Sequence, residues 1–147
     1  MIVVSILYLF VDRDACNIEM WDYVVVTGGR ETPTQVTVYN SDGFVENLAN
    51  MHTGRSVHGC GHYLDGENRL VYLVTGGDDF TGFTSSTELL VEGNPEWLFA
   101  GPLPSSRVGL RVVSVDNRIL ATGGSYTVFL TLTIKYQGVT LITVIMT

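Results

Sequence analysis

The sequence predicts an all-β fold built from repeated units, and three observations carry the prediction. A glycine pair closes a short apolar strand three times, at Gly28-Gly29, Gly76-Gly77 and Gly123-Gly124, with separations of 48 and 47 residues. A tight hairpin precedes each of the last two pairs. No stretch holds a 3.6-residue apolar pattern over a helical length. A fixed period of this size, with one supersecondary block per period, marks a repeat architecture.

The elements follow in order. Residues 23–27, Tyr-Val-Val-Val-Thr, run as a strand into the first pair. A polar loop at 30–35 leads to a strand at 36–39 and a short edge strand near Val45. In the second unit, strands at 59–64 and 70–75 flank the turn-prone Asp65-Gly66-Glu67-Asn68, and a loop at 78–86 leads to strands at 87–91 and 97–99. The third unit opens with strands at 110–115 and 118–122 around Asp116-Asn117. Asp, Asn and Gly between two apolar runs supply hairpin turn chemistry. Four strands in up-and-down order make a propeller blade. A glycine pair suits the strand end because residues without Cβ accept positive φ and let neighbouring backbone approach.

With these pieces in place, the chain resembles the kelch repeat, a propeller module marked by a strand into Gly-Gly, then a Tyr, then a Trp about six residues later. Gly28, Gly29 and Tyr39 match in the first unit, where Phe44-Val45 stands in place of the Trp. Gly76, Gly77 and Trp97 match in the second, with Leu90 at the aromatic position. An Arg before the next inner strand occurs twice, as Arg55 and Arg107. After Gly123 and Gly124 the pattern stops. The chain therefore divides into an atypical N-terminal strand or partial blade at 1–22, kelch-like repeats at 23–124 and a Thr/Val-rich β tail at 125–147. Trp21 fits the last strand of a preceding unit. The fold class is a partial kelch-type β-propeller of four-stranded antiparallel blades, too few to close a ring, since closure takes about four to eight blades. Open blade faces and edges follow, so the chain is expected to be a fragment, a truncated product or one part of an assembly, of low stability alone and open to self-association.

Composition bounds the partners. The chain has 147 residues, 46% hydrophobic and 16% charged, with a formal net charge of −7. That is enough apolar material for a packed core. Phosphate-backbone binding is driven by basic side chains, so nucleic acid is not expected. The apolar run at 2–11 reads as a buried strand: no Lys or Arg precedes it, and Asp12-Arg13-Asp14 follows where a signal peptide has small neutral residues. Neither this run nor the tail makes a membrane span, which takes about 20 apolar residues as a helix. Cys16 and Cys60 are the only cysteines. Their spacing demands no bridge, and they are expected as free, partly buried thiols. The compartment stays open between the cytoplasm and, were residues 2–11 a signal segment, secretion.

Chemistry finds little purchase. His58, Cys60 and His62 share a strand face, but alternate residues lie about 6 to 7 Å apart, too spread to hold one ion without help. The histidines, with Ser and Asp at many distances, make no triad, and no nucleophile elbow or phosphate loop is present. No catalytic group, metal or cofactor is assigned. Trp97 and Tyr39 read as blade-to-blade core anchors. The kelch resemblance implies that residues just after each glycine pair face a partner: Arg30 and Glu31, Asp78 and Asp79, Ser125 and Tyr126. Ser56-Val57 and Val108-Gly109 come from the neighbouring loops. The acidic Asp78-Asp79 would suit a peptide carrying Lys or Arg. The expected function is protein or peptide binding. Alternatives are a fragment of a kelch-fold copper oxidase, or a chain with no independent function.

Overall fold

β-branched and aromatic residues pack well on a pleated surface, and the described part of the chain is made of strands. The computed structural model describes residues 12, 14–115, 118–124 and the strand pairs 135–136 and 139–140. The first sheet holds β1 (Cys16–Glu19), β2 (Tyr23–Thr27), β3 (Val36–Asn40) and β4 (Gly43–Asn47) in that order. The second holds β5 (Gly59–Leu64), β6 (Leu70–Thr75), β7 (Thr87–Val91) and β8 (Leu98–Ala100), again in chain order. A third has β9 (Leu110–Val115) and β10 (Arg118–Gly123), and β11 (Lys135–Tyr136) pairs with β12 (Val139–Thr140). All pairings are antiparallel. These are two full blades and the inner hairpin of another, a partial propeller.

The first blade begins inside the segment that the sequence set apart as residues 1–22. β1 pairs with β2 from Cys16 opposite Thr27 to Glu19 opposite Val24, so the first glycine pair also has its hairpin. Trp21 lies in the turn between these strands, fully exposed, rather than in a strand of an earlier unit. The apolar run at 2–11, Asp116-Asn117, and most of the tail, with Ser125 and Tyr126, lie outside the described residues.

Strand alternation sends side chains to both faces of the second sheet, and both are buried. On one side Cys60, Tyr72, Val74, Leu90 and Trp97 meet Ile18, Val25, Val36 and Val38 of the first sheet. On the other, Tyr63, Val71, Leu73, Leu89 and Val91 meet Leu110, Ile119 and Ala121 of the third. Trp97 is 1% exposed and its indole N–H donates to the Ala49 carbonyl at 2.7 Å. Tyr39 stands elsewhere: it is on the first-sheet face turned away from this core, edge-on to Phe44 with ring centroids 6.4 Å apart. Val38, not Tyr39, carries the seam.

The inner strands of successive blades approach closely, by two different means. Where β5 meets β9, a Cβ on Gly59 or Gly61 would stand 2.8 or 2.7 Å from a Val112 methyl, so the two glycines form the notch that Val112 fills. Where β1 meets β5, Cys16 and Cys60 are bonded, with Cα atoms 5.9 Å apart. This corrects the expectation of free thiols. Register explains it: Cys16 faces Thr27 in the first blade as Gly59 faces Thr75 in the second, and Cys60 takes the place that Val112 holds one blade on. The repeat itself brings two residues 44 apart in sequence side by side.

A row of backbone hydrogen bonds crosses the blades at their inner start. Asp14, Val57 and Gly109 sit at equivalent positions with φ of 65°, 52° and 70°. The Val57 N–H donates to the Asp14 carbonyl at 2.9 Å, and the Gly109 N–H donates to the Val57 carbonyl at 2.8 Å. A β-branched residue with this φ is a genuine outlier, held in place by bonds from both neighbours.

Closing a loop of this length with a disulfide stabilises by about 4 kcal/mol on the chain-entropy estimate. Replacing both cysteines by serine, or reducing the bridge, is therefore expected to lower the denaturation midpoint by several kilocalories' worth in urea unfolding. An unchanged midpoint would show that the bridge constrains nothing.

Candidate functional site

The first two glycine pairs, each with its following loop, form corners at one end of the blades, and an arginine fixes each corner. Gly28 and Gly76 have φ of 61° and 64°. A Cβ there would stand 2.4 Å from the Arg55 carbonyl oxygen and 2.8 Å from that of Arg107. The Gly29 and Gly77 N–H groups donate to those same two carbonyls at 2.9 and 2.6 Å. Both arginines are buried. Their guanidinium groups reach the next blade: Arg55 Nη1 donates to the Gly76 and Ser86 carbonyls at 2.9 and 3.0 Å, and Arg107 Nη1 to the Gly123 carbonyl at 3.2 Å. One residue thus holds its own glycine turn through its backbone and the following turn through its side chain.

Arg55 also donates through Nη2 to Ser86 Oγ at 2.9 Å and to Glu88 Oε1 at 2.7 Å, and both ionic side chains are fully buried. Burial pulls the guanidinium below its ordinary pKa, opposed by Glu88. The carboxylate in turn accepts the backbone N–H groups of His52 and Thr53. The two opposite charges meet, which is the condition for tolerating them indoors, although Arg55 Nε–H is buried with no hydrogen-bond partner among the described residues.

His58 lies at the same end. The Thr27 hydroxyl lies within hydrogen-bond distance of both the Cys16 carbonyl, at 3.2 Å, and His58 Nε2, at 2.8 Å, and His58 Nδ1 is buried with no hydrogen-bond partner among the described residues. Burial, and then the Arg55 charge, push the imidazole down to about 3. With Cys60 in the disulfide and His58 turned to Thr27, the trio of His58, Cys60 and His62 does not converge. Among the described residues no three His, Cys, Asp or Glu side chains gather to hold an ion.

The loops themselves are pinned from within. After the first pair, Asp12 Oδ2 accepts the N–H groups of Glu31 and Thr32 and the Thr32 hydroxyl, while the Arg30 guanidinium binds Asp14. That bond raises the Arg30 pKa. After the second pair, Asp78 bridges by its backbone to Ser56 and Phe83, and its carboxylate accepts Phe80 N–H. Asp79 accepts the N–H and hydroxyl of Thr81, which hold its pKa below the ordinary value. Arg30 follows the Gly29 that bonds the Arg55 carbonyl, and Asp78 bonds the next residue, Ser56, so the two loops meet along the 55–56 backbone; Glu31 is exposed.

Sequence reasoning missed two residues there. Phe80 and Phe83 are 52% and 44% exposed on the second loop, Phe80 with φ of 69°. Two aromatics in an otherwise polar turn, Asp-Asp-Phe-Thr-Gly-Phe, were the available signal, because a turn needs neither for its geometry.

Comparison with known proteins agrees with this architecture. Over 77 residues, 52% of the chain, it is 32% identical to beta-scruin of Limulus polyphemus, a kelch-repeat protein. Its strands superpose on the structure of YjhT with a TM-score of 0.57, over 76% of this chain and 38% of that one, at 16% identity. The fold is kelch-like. No family model matches. The match spans 8% of beta-scruin, and the chain covers well under half of YjhT, so the likeness is to part of each.

Breaking a buried ion pair by removing one partner costs about 3–5 kcal/mol. Arg55→Met is expected to show that loss in urea unfolding, while Glu88→Gln, whose amide oxygen still accepts, should lose distinctly less. Equal losses would mean that charge does not set the cost. For His58, the folded state binds fewer protons than the unfolded below pH 6.5, so its contribution to stability is complete above that pH and drains as the pH falls toward 3. The slope reaches about 1.4 kcal/mol per pH unit. Urea midpoints at pH 7 and pH 5 should separate accordingly, and His58→Gln should remove most of the difference. The remainder belongs with His62, which burial also lowers.

Proposed function

We propose that the chain is a protein-interaction module that binds a peptide through the loops following its glycine pairs. The observation that carries this reading is the exposed pair Phe80 and Phe83 beside the carboxylates of Asp78 and Asp79, on a loop fixed by its own hydrogen bonds. Loops held by a rigid scaffold are where recognition concentrates. Such a loop pays little ordering entropy on binding, and exposed aromatics are the side chains that most often anchor a partner. The likeness to a kelch-repeat protein supports the same class of function. The favoured partner is a segment with an apolar residue flanked by Lys or Arg, matched to the Phe pair and the acidic rim.

Peptides selected from a displayed random library on the oxidised chain are expected to carry that pattern. A Phe80→Ala/Phe83→Ala variant should weaken them about 30-fold, the worth of a single strong anchor. Selected peptides that bind the variant as well as the parent would overturn the loop assignment.

A further inference from the structure

At the opposite end of the first two blades, where the hairpin turns lie, a groove of about 610 Å³ opens between the sheets. Tyr23, Tyr72 and Leu48 form part of its wall, and the carboxylates of Asp22, Glu46 and Glu92 stand around it. Among the described residues no Lys or Arg lines it. The two tyrosine hydroxyls are 3.0 Å apart and share one hydrogen, which leaves lone pairs on the oxygens for a further donor. Burial and the bond to Tyr23, with the nearby Glu92 and Glu46 charges, raise the Tyr72 pKa, so its hydroxyl stays neutral. Beside Asp22, Trp21 projects entirely into solvent. The fold draws nothing from an indole in that position.

Aromatic walls, hydroxyl acceptors and three carboxylates, with no Lys or Arg among the described lining residues, ask for a cation on an apolar stem. The volume lies within the range of specific ligand sites, about 300–1,000 Å³, and exceeds one side chain. A Lys or Arg side chain lays its methylenes along apolar surface while its head seeks charge, and its cation stacks on Trp or Tyr. We infer that this groove is a second binding site, which takes a Lys- or Arg-bearing segment of a partner polypeptide, and that Trp21, next in the chain to the lining Asp22, adds an indole for the bound cation to stack on. The acidic chain, at −7 net, steers such a partner inward. This site is independent of the loop face and stands or falls separately from it.

The test is fluorescence anisotropy of a fluorescein-labelled hexapeptide, Ala-Lys-Ala-Arg-Ala-Lys, against the oxidised full chain, with the same peptide carrying Gln at the three basic positions as control. The basic peptide is expected to bind saturably and the Gln peptide not to. Glu46→Gln/Glu92→Gln should weaken binding roughly tenfold or more, and Trp21→Ala several-fold, in line with screened, partly exposed charge pairs and one stacked cation. All three residues are exposed, and Gln at 92 keeps an acceptor for the Leu70 N–H that Glu92 binds at 3.3 Å, so the fold is preserved. Glu46→Lys, which places a repelling charge in the groove, gives an independent readout. No saturable binding, equal binding of the Gln peptide, or parental affinity in both Glu variants would overturn the proposal. Loss in Phe80→Ala/Phe83→Ala with parental affinity in the Glu variants would also overturn it, while leaving the loop face standing.

Discussion

Arg55 is the one buried ionic tie among the described residues that joins the first two blades at their loop end. Its carbonyl holds the glycine turn behind it, and its side chain holds the glycine turn ahead of it. A sheet with both faces apolar cannot satisfy itself, so each blade needs its neighbour at a fixed angle and depth. Apolar contact alone is tolerant of sliding. A planar guanidinium spread over two carbonyls, a hydroxyl and a carboxylate is not, because its donors lie in fixed directions. The buried charge thus gives the seam register, while the valines and leucines around it give most of the favourable energy.

The two seams solve the same geometric problem with different chemistry. One joins inner strands through sulfur, the other by pressing Val112 against two glycines. The first therefore responds to its surroundings in a way the second does not: reducing conditions cut one tie, and acid charges the imidazole buried next to it. The loop end and the turn end of the blades also differ. The first is stiffened by carboxylates that accept backbone N–H groups of the loops, while Asp22, Glu46 and Glu92 at the other end line a groove.

What could be read in the sequence was whatever depends on neighbours along the chain. Gly-Gly after Val-Val-Thr, and Asp-Gly-Glu-Asn between apolar runs, determine strand ends and turns within a few residues, and the blades followed from their repetition. β1 was not legible, because the alternation of Cys-Asn-Ile-Glu runs for only four residues and carries none of the Val-rich or Gly-Gly signal that marks the other strands. With that strand missing, the two units could not be superposed, and the facing of Cys16 with Cys60 stayed hidden. The left-handed turn at Val57 leaves no trace either, since nothing local favours it and only bonds from two other blades impose it. Recognition surfaces sit between these extremes. Asp78 and Asp79 were visible as acidic loop residues, but Phe80, Phe83 and Trp21 became notable only once each was seen facing solvent.

The bonds along the inner rim all run one way. Gly109 gives its hydrogen to Val57, and Val57 gives its hydrogen to Asp14. Blades so joined form a head-to-tail polymer whose two ends are chemically distinct, one offering an amide and the other a carbonyl. Any further blade that extends the row past Gly109 must arrive as a donor, and a blade presented backwards would set carbonyl against carbonyl. Handedness and order of assembly are thereby written into the backbone, whatever side chains the added blade carries.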